Sequence, residues 1–274
     1  MTSLISWIGI DQRGPASVYI ASDSRITWGY GAQWDFGRKV FIARKSPQLF
    51  GYCGDVAFPS QALGQLTSLI DSDEAFPASG SAEDRLAYIT TVMTLALANY
   101  PLAERRTFSI LYAARLSENM AATFDIHVMN WSMADGWTVH AAELPANSDV
   151  VVALGTGADD GTGRHVIQDA VFEWNQTEAR DTSRAVFGAF CDAIKSYRDP
   201  NTGGPPQLIG LYRIGPPREF GVIWNDRLYL NGMRAAASFV SSELECRNET
   251  FERCSPVTRR LLEEAQRQPR PHRL

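Results

Sequence analysis

The run TSLISWIGIDQRGPASVYIASDSR, residues 2–25, holds two apolar, β-rich segments, 3–10 and 17–22, separated by the turn-forming stretch DQRGPA. Such a pattern reads as a β-hairpin that opens at the extreme N-terminus. Neither segment alternates cleanly between apolar and polar residues, as a strand with one wet face would. Both faces of the hairpin are therefore expected to be covered.

Working outward, residues 39–43 and 48–53 suggest a second strand pair, with Ser46 and Pro47 at the turn. Two helices follow, one from about Pro59 to Ile70 and one from Asp84 to Tyr100. In the second, Leu86, Ile89, Met93, Ala96, Leu97 and Tyr100 recur at helical steps, Ser81 with Asp84 makes a capping-box start, and Pro101 stops the continuation. Strand character returns at 107–115, 122–131, 136–142 and 149–154. A further helix over 183–197 carries Val186, Phe187, Phe190, Cys191, Ile194 and Tyr197 on one stripe.

Strands, two helices, strands, helices and strands again are not the strict alternation of a parallel sheet. Two mainly antiparallel sheets stacked face to face, with helices outside each, would cover every strand on both faces. The expected fold is thus α+β, a four-layer αββα sandwich. Residues 218–231 read as one more hairpin around Asn225 and Asp226. The tail from about Glu243 is polar and Arg-rich, with a short helix expected near 256–267. The expected organisation is a main domain over 2–214 and a C-terminal hairpin and polar helical extension over 215–274, packed on that same domain.

A length of 274 residues with 45% hydrophobic side chains is enough for a sizeable core. The formal net charge of −5 offers no basic field for nucleic acid or an anionic membrane. No segment approaches the length of a membrane-spanning helix, and the N-terminus lacks a signal-peptide pattern, so a cytoplasmic location is expected. Cys53, Cys191, Cys246 and Cys254 form no C-x-x-C pair, and the four histidines show no metal-ligand spacing. No metal or cofactor is expected.

Taken singly, Thr2, Asp23, Lys39 and Gly54 have bland explanations: a terminal residue, a strand-end turn, a solvated cation, a turn glycine. Their order and spacing carry more. ASDSRITWG (21–29) resembles the strand-end motif of proteasome β-subunits and of the bacterial ring protease subunits related to them. The Asp23-to-Lys39 separation matches the spacing of that family's catalytic Asp and Lys, and FGYCGD (50–55) resembles its following Gly-rich turn. LGTGA (154–158) resembles its G-S-G turn, with Thr156 in the Ser position, and RDPNTGG (198–204) resembles its R-D-x-x-S/T-G-G segment. The match runs in the right order through most of residues 2–214.

The resemblance implies an N-terminal nucleophile hydrolase, a threonine peptidase in which Thr2, exposed by loss of Met1, is the nucleophile. A threonine hydroxyl needs a base, and a free N-terminal threonine carries one in its α-amine. Lys39, held by Asp23, would lower the pKa of that amine and stabilise charge on the oxygen. The resemblance further implies Gly54 N–H as oxyanion donor, Asp199, Thr202 and Thr156 as supports around the amine, and Tyr52 at the floor of the substrate pocket. Its expected partners are a peptide or unfolded protein substrate, copies of itself in a homo-oligomeric ring and, as an option, an ATP-driven unfoldase.

Three other readings compete. VVVALGTGADDGTGR (150–164) superficially suggests a dinucleotide-binding turn, but Gly161 falls one residue late for G-x-G-x-x-G. On the peptidase reading, Gly155→Ala should matter little unless it distorts the Thr156 turn. A non-catalytic structural subunit of the same fold is the second rival, and an amidase acting on a small amide is the third.

Overall fold

A computed structural model describes residues 2–72, 81–159, 165–236 and 241–265. The N-terminal hairpin forms as expected: β1 (Ser3–Asp11) and β2 (Gly14–Ser22) pair antiparallel from Leu4↔Ser22 to Asp11↔Gly14. Two short strands, β3 (Ile26–Thr27) and β4 (Gln33–Trp34), then make a small separate ladder. The second expected pair is β5 (Val40–Ala43) and β6 (Gln48–Gly54), followed by α1 (Ala57–Asp71) and α2 (Ala82–Ala98). Ser81 caps α2 in a reciprocal capping box with Asp84, satisfying two of the donors a helix start leaves open.

β7 (Phe108–Arg115), β8 (Phe124–Ser132) and β9 (Gly136–Ala141) complete a five-stranded sheet in the order β5-β6-β7-β8-β9. The chain then returns to the first sheet with β10 (Asp149–Gly155), which pairs antiparallel with β1, and adds α3 (Val166–Trp174) and α4 (Ser183–Lys195). β11 (Gln207–Tyr212), β12 (Arg218–Trp224), β13 (Arg227–Leu230) and β14 (Met233–Arg234) extend that sheet in the order β10-β1-β2-β11-β12-β13-β14. Asn225 and Asp226 take φ values of 48° and 60° at the β12–β13 turn. Those left-handed values are what a two-residue hairpin turn requires.

Side-chain alternation explains the four layers. Leu4, Ile8, Val18 and Ile20 face inward with Val40, Leu49, Leu111 and Ile209, forming the core between the sheets. Their neighbours Ile5, Trp7, Tyr19 and Ala21 face the other way, against α3 and α4. Across the molecule, Phe50, Tyr52, Phe108 and Ile110 pack under α1 and α2. The sheets meet closely at Gly51, where a Cβ would lie 2.7 Å from Leu4 Cδ1. This is the αββα sandwich, and the unbroken apolarity of residues 3–10 and 17–22 follows from covering on both faces.

Two local expectations fail. α4 ends at Lys195, and Tyr197, with φ 53° and 75% exposure, leaves the apolar stripe. The helix expected over 256–267 is absent from its described part, 256–265, which consists of turns, a bend and an isolated bridge at Leu261. Beyond β14 the polar tail instead supplies β15 (Cys246–Asn248), parallel to β12, and β16 (Arg253–Cys254), antiparallel to β15. Among the described residues, no helix is long and apolar enough to cross a membrane.

Candidate active site

β1 starts and β2 ends at the same edge of the sandwich, so the hairpin places residues 2–3 beside Asp23. The Asp23 N–H donates to Ser3 O at 3.1 Å, and Asp23 Oδ1 accepts Ser3 N–H at 3.0 Å. The same Oδ1 takes Lys39 Nζ at 2.7 Å, with both side chains fully buried. Asp23 Oδ2 accepts the N–H groups of Arg25 at 3.1 Å and Gly203 at 3.0 Å. Four donors thus converge on this one carboxylate. Burial pulls the Lys39 pKa below the ordinary lysine value, and Asp23 pulls against it.

The second cluster is built from two distant loops. Asp199 Oδ2 accepts hydrogen bonds from Thr202 Oγ1 and from Thr156 Oγ1, each at 2.6 Å. Thr202 Oγ1 in turn lies 2.7 Å from Ser3 Oγ. A continuous polar chain therefore runs from Thr156 through Asp199, Thr202 and Ser3 to Asp23 and Lys39. Thr2 adjoins this chain through Ser3 and is fully buried, with the Thr2–Ser3 peptide on the Asp23 carboxylate. Met1 precedes Thr2 in this chain, so the Thr2 nitrogen is here an amide.

No protein-family model matches the chain, and no curated protein matches it. Solved structures do match. The Anbu complex of Pseudomonas aeruginosa, described as a helical assembly, aligns with a TM-score of 0.53 over 85% of this chain and 86% of its own, at 15% identity. Anbu of Yersinia bercovieri, described as an ancestral beta-subunit, aligns with a TM-score of 0.54 over 80% of this chain and 86% of its own, at 10% identity. The chain shares the fold of these Anbu structures. At these identities the likeness is one of fold, and the chemistry has to be argued from the side chains.

On that fold, the sequence motifs bring Thr2, Asp23, Lys39, Thr156, Asp199 and Thr202 into one site. Gly54 ends β6 at the same edge, with φ +94° and with its Cβ position blocked by Thr107 O at 2.7 Å. The adjoining strand is tied to the lysine, since Tyr52 N–H donates to Lys39 O at 3.1 Å. Cys53 feels the charge of Lys39, yet burial dominates and pushes its thiol up to about 11.

Tyr52 is not where the sequence expectation put it. Its ring has no exposed surface, packs with Phe41 on the helix side of β6, and its hydroxyl donates to Arg38 O at 3.0 Å. Strand alternation carries Phe50 and Tyr52 to the same face, away from the core between the sheets that Leu49 and Cys53 enter. A ring enclosed in this way lines no pocket open to a substrate. The dinucleotide reading is also overturned, because β10 is an antiparallel edge strand and begins no parallel βαβ unit. Gly161, which that reading used, lies outside the described residues. Gly155 packs against the backbone of Thr2: a Cβ there would sit 1.8 Å from Thr2 O.

Three supporting residues were not singled out from sequence. Gln207 accepts Lys39 N–H through Oε1 at 2.9 Å and points Nε2 at Gly37 O, Ser24 Oγ and Asp23 O, fixing both partners of the ion pair. Arg25 clamps Asp35 through two bonds of 2.7 and 2.9 Å and reaches Pro200 O at 3.1 Å, joining the Asp23 turn to the Asp199 loop. Ser3 links the two clusters. A glutamine opening the apolar strand QLIGLY was the available signal for the first.

Proposed function

We propose that the chain is a threonine peptidase that uses Thr2 as nucleophile once Met1 has been removed. The observation that carries this reading is the shared Asp23 Oδ1, which binds both the Ser3 N–H and the buried Lys39 ammonium. It supports the reading by bringing a fixed positive charge to the carboxylate that holds the Thr2–Ser3 peptide. With Met1 gone, the α-amine takes the hydroxyl proton, and Oγ attacks the scissile carbonyl. An α-amine has an unperturbed pKa of about 7.7–8.0, and a neighbouring ammonium lowers it further, so the neutral base predominates at working pH. Lys39 also stabilises the negative charge that develops on oxygen.

Gly54 N–H is the proposed oxyanion donor, and removing one such donor typically costs about 2.7–4 kcal/mol of transition-state stabilisation. Asp199, Thr202 and Thr156, joined by their mutual hydrogen bonds, are the proposed supports of the amine. The substrate is a peptide or unfolded protein, processed in the cytoplasm inside a homo-oligomer, with an ATP-driven unfoldase as an optional partner. The helical assembly described for the P. aeruginosa Anbu complex supports self-association.

Intact-mass analysis before and after a β-lactone probe tests the proposal. The protein is expected to begin at Thr2 and to gain one probe mass, while Thr2→Ser keeps partial labelling and Thr2→Ala gains none. Quantitative Met1 retention in an active preparation would remove the proposed base. Full turnover of every cleavable substrate by Thr2→Ala would overturn the assignment.

A further inference from the structure

Far from Thr2, at the other end of the sandwich, lies a cavity of about 440 Å³. Its position follows from strand direction. β6 and β7 have Gly54 and Phe108 at the Thr2 end, and β11 starts there with Gln207. Pro47, Arg115 and Gly215, at or just beyond the opposite ends of these strands, line the cavity. It is separate from the proposed active site.

Among the described residues, the walls carry four cations, Arg44, Lys45, Arg85 and Arg115, against one carboxylate, Glu118. In a chain of net charge −5 that is a local reversal of sign. Two of the cations retain hydrogen-bonding capacity. Arg115 is 3% exposed; its Nη1 is used by Tyr212 O and Gly215 O and its Nη2 by Glu118, but its Nε has no partner. Arg85, in the first turn of α2, has a buried Nη1 without a partner. Arg44 pairs with Glu219, and Asp71 spends its oxygens on the backbone N–H groups of Arg44 and Lys45.

A buried guanidinium with an unmet donor costs free energy that a bound anion returns. Guanidinium forks match phosphate oxygens in pairs, which a single ammonium cannot do. The remaining lining includes Pro47, Leu116, Pro216 and Pro217, an apolar wall suited to the organic body of a small ester. We infer that this cavity binds a phosphate-bearing small molecule, held by Arg85, Arg115 and Lys45. Such a ligand would bridge the β5–β6 turn, the end of β7, the start of α2 and the β11–β12 turn, and would stabilise the sandwich from the end opposite the nucleophile.

Isothermal titration calorimetry on the full chain at fixed ionic strength tests the inference with inorganic phosphate, a hexose phosphate and succinate. Saturable binding of the hexose phosphate is expected, with succinate at least about tenfold weaker. Inorganic phosphate binding as tightly as the ester would identify free phosphate as the ligand of the same site. Arg115 is too enmeshed to substitute safely, so the diagnostic variant is Arg85→Glu, expected to weaken binding about tenfold or more. Arg180→Glu, at a side chain 70% exposed on another surface, serves as the charge control. No saturable phosphate binding, equal affinity for succinate, or equal weakening by the control would overturn the inference. Circular dichroism and thermal unfolding of both variants separate lost binding from lost folding.

Discussion

Asp23 receives donors from Ser3, Arg25, Gly203 and Lys39, and no other carboxylate in the site is so fully engaged. Lys39→Ala leaves that carboxylate buried without its counter-charge, a loss typically worth about 3–5 kcal/mol. Urea unfolding should register it, and β-lactone labelling should fall by about 10³ or more. Asp23→Asn should fall between wild type and Lys39→Ala in labelling, since it weakens the hold on Lys39 without deleting the ammonium. A thiol does not compete as nucleophile: burial raises Cys53 to about 11, and Cys191, Cys246 and Cys254 are buried as well. Iodoacetamide at neutral pH should leave the native protein unmodified and should label all four cysteines in urea; fast native labelling would refute their enclosure. The side chains that the structure gathers around Asp23 and Asp199 were legible as an ordered set of motifs, because each sits in a distinctive local sequence. Gln207 and Ser3 were not, since their roles exist only where distant segments meet. Tyr52 rested on the resemblance alone, and strand alternation puts it with Phe50 in the core beneath the helices.

At the scale of elements, the turn after β10 is held to β1 by close backbone approach, and its glycine has φ +84°. The sequence makes Gly155→Ala of little consequence to a threonine peptidase unless it distorts the Thr156 turn. The structure puts the change under that exception, because the new methyl would meet Thr2 O at 1.8 Å in a conformation that side chains rarely adopt. Gly155→Ala should therefore displace Thr2 and cut labelling severely, while a mutation of the α2 cap, Ser81→Ala, should cost about 1 kcal/mol of stability and leave labelling intact. Thermal unfolding together with labelling separates the two. Leu4→Ala, which empties a fully buried position between the sheets, should cost about 2–5 kcal/mol. Hairpins and helices were legible because their periodicity and caps are local. The tail was not: Arg259 takes φ +60° and Cys254 bridges to Leu261, so the segment doubles back instead of winding into a helix.

For the whole molecule, the layer order was readable because apolar segments without alternation demand cover on both faces, and only stacked sheets with outer helices supply it. Association is a separate matter, since fold leaves it open. All the proposed catalytic groups, Thr2, Asp23, Lys39, Gly54, Thr156, Asp199 and Thr202, belong to one chain, so the proposed mechanism assigns no role to a neighbour. Assembly would instead confine the site and limit access to unfolded chains, as expected of a ring peptidase. Large apolar side chains stand exposed on several faces, including Leu95 on α2, Phe172 on α3 and Met133 at the β8–β9 turn. Light scattering at micromolar concentration is expected to give a mass several times that of one chain. Dilution that dissociates the assembly should leave β-lactone labelling of Thr2 in place while relaxing discrimination between short peptides and folded protein. A strict monomer that labels at Thr2 would retain the nucleophile and shift the substrate class to a small amide. A large assembly that never labels would instead make the chain a structural subunit.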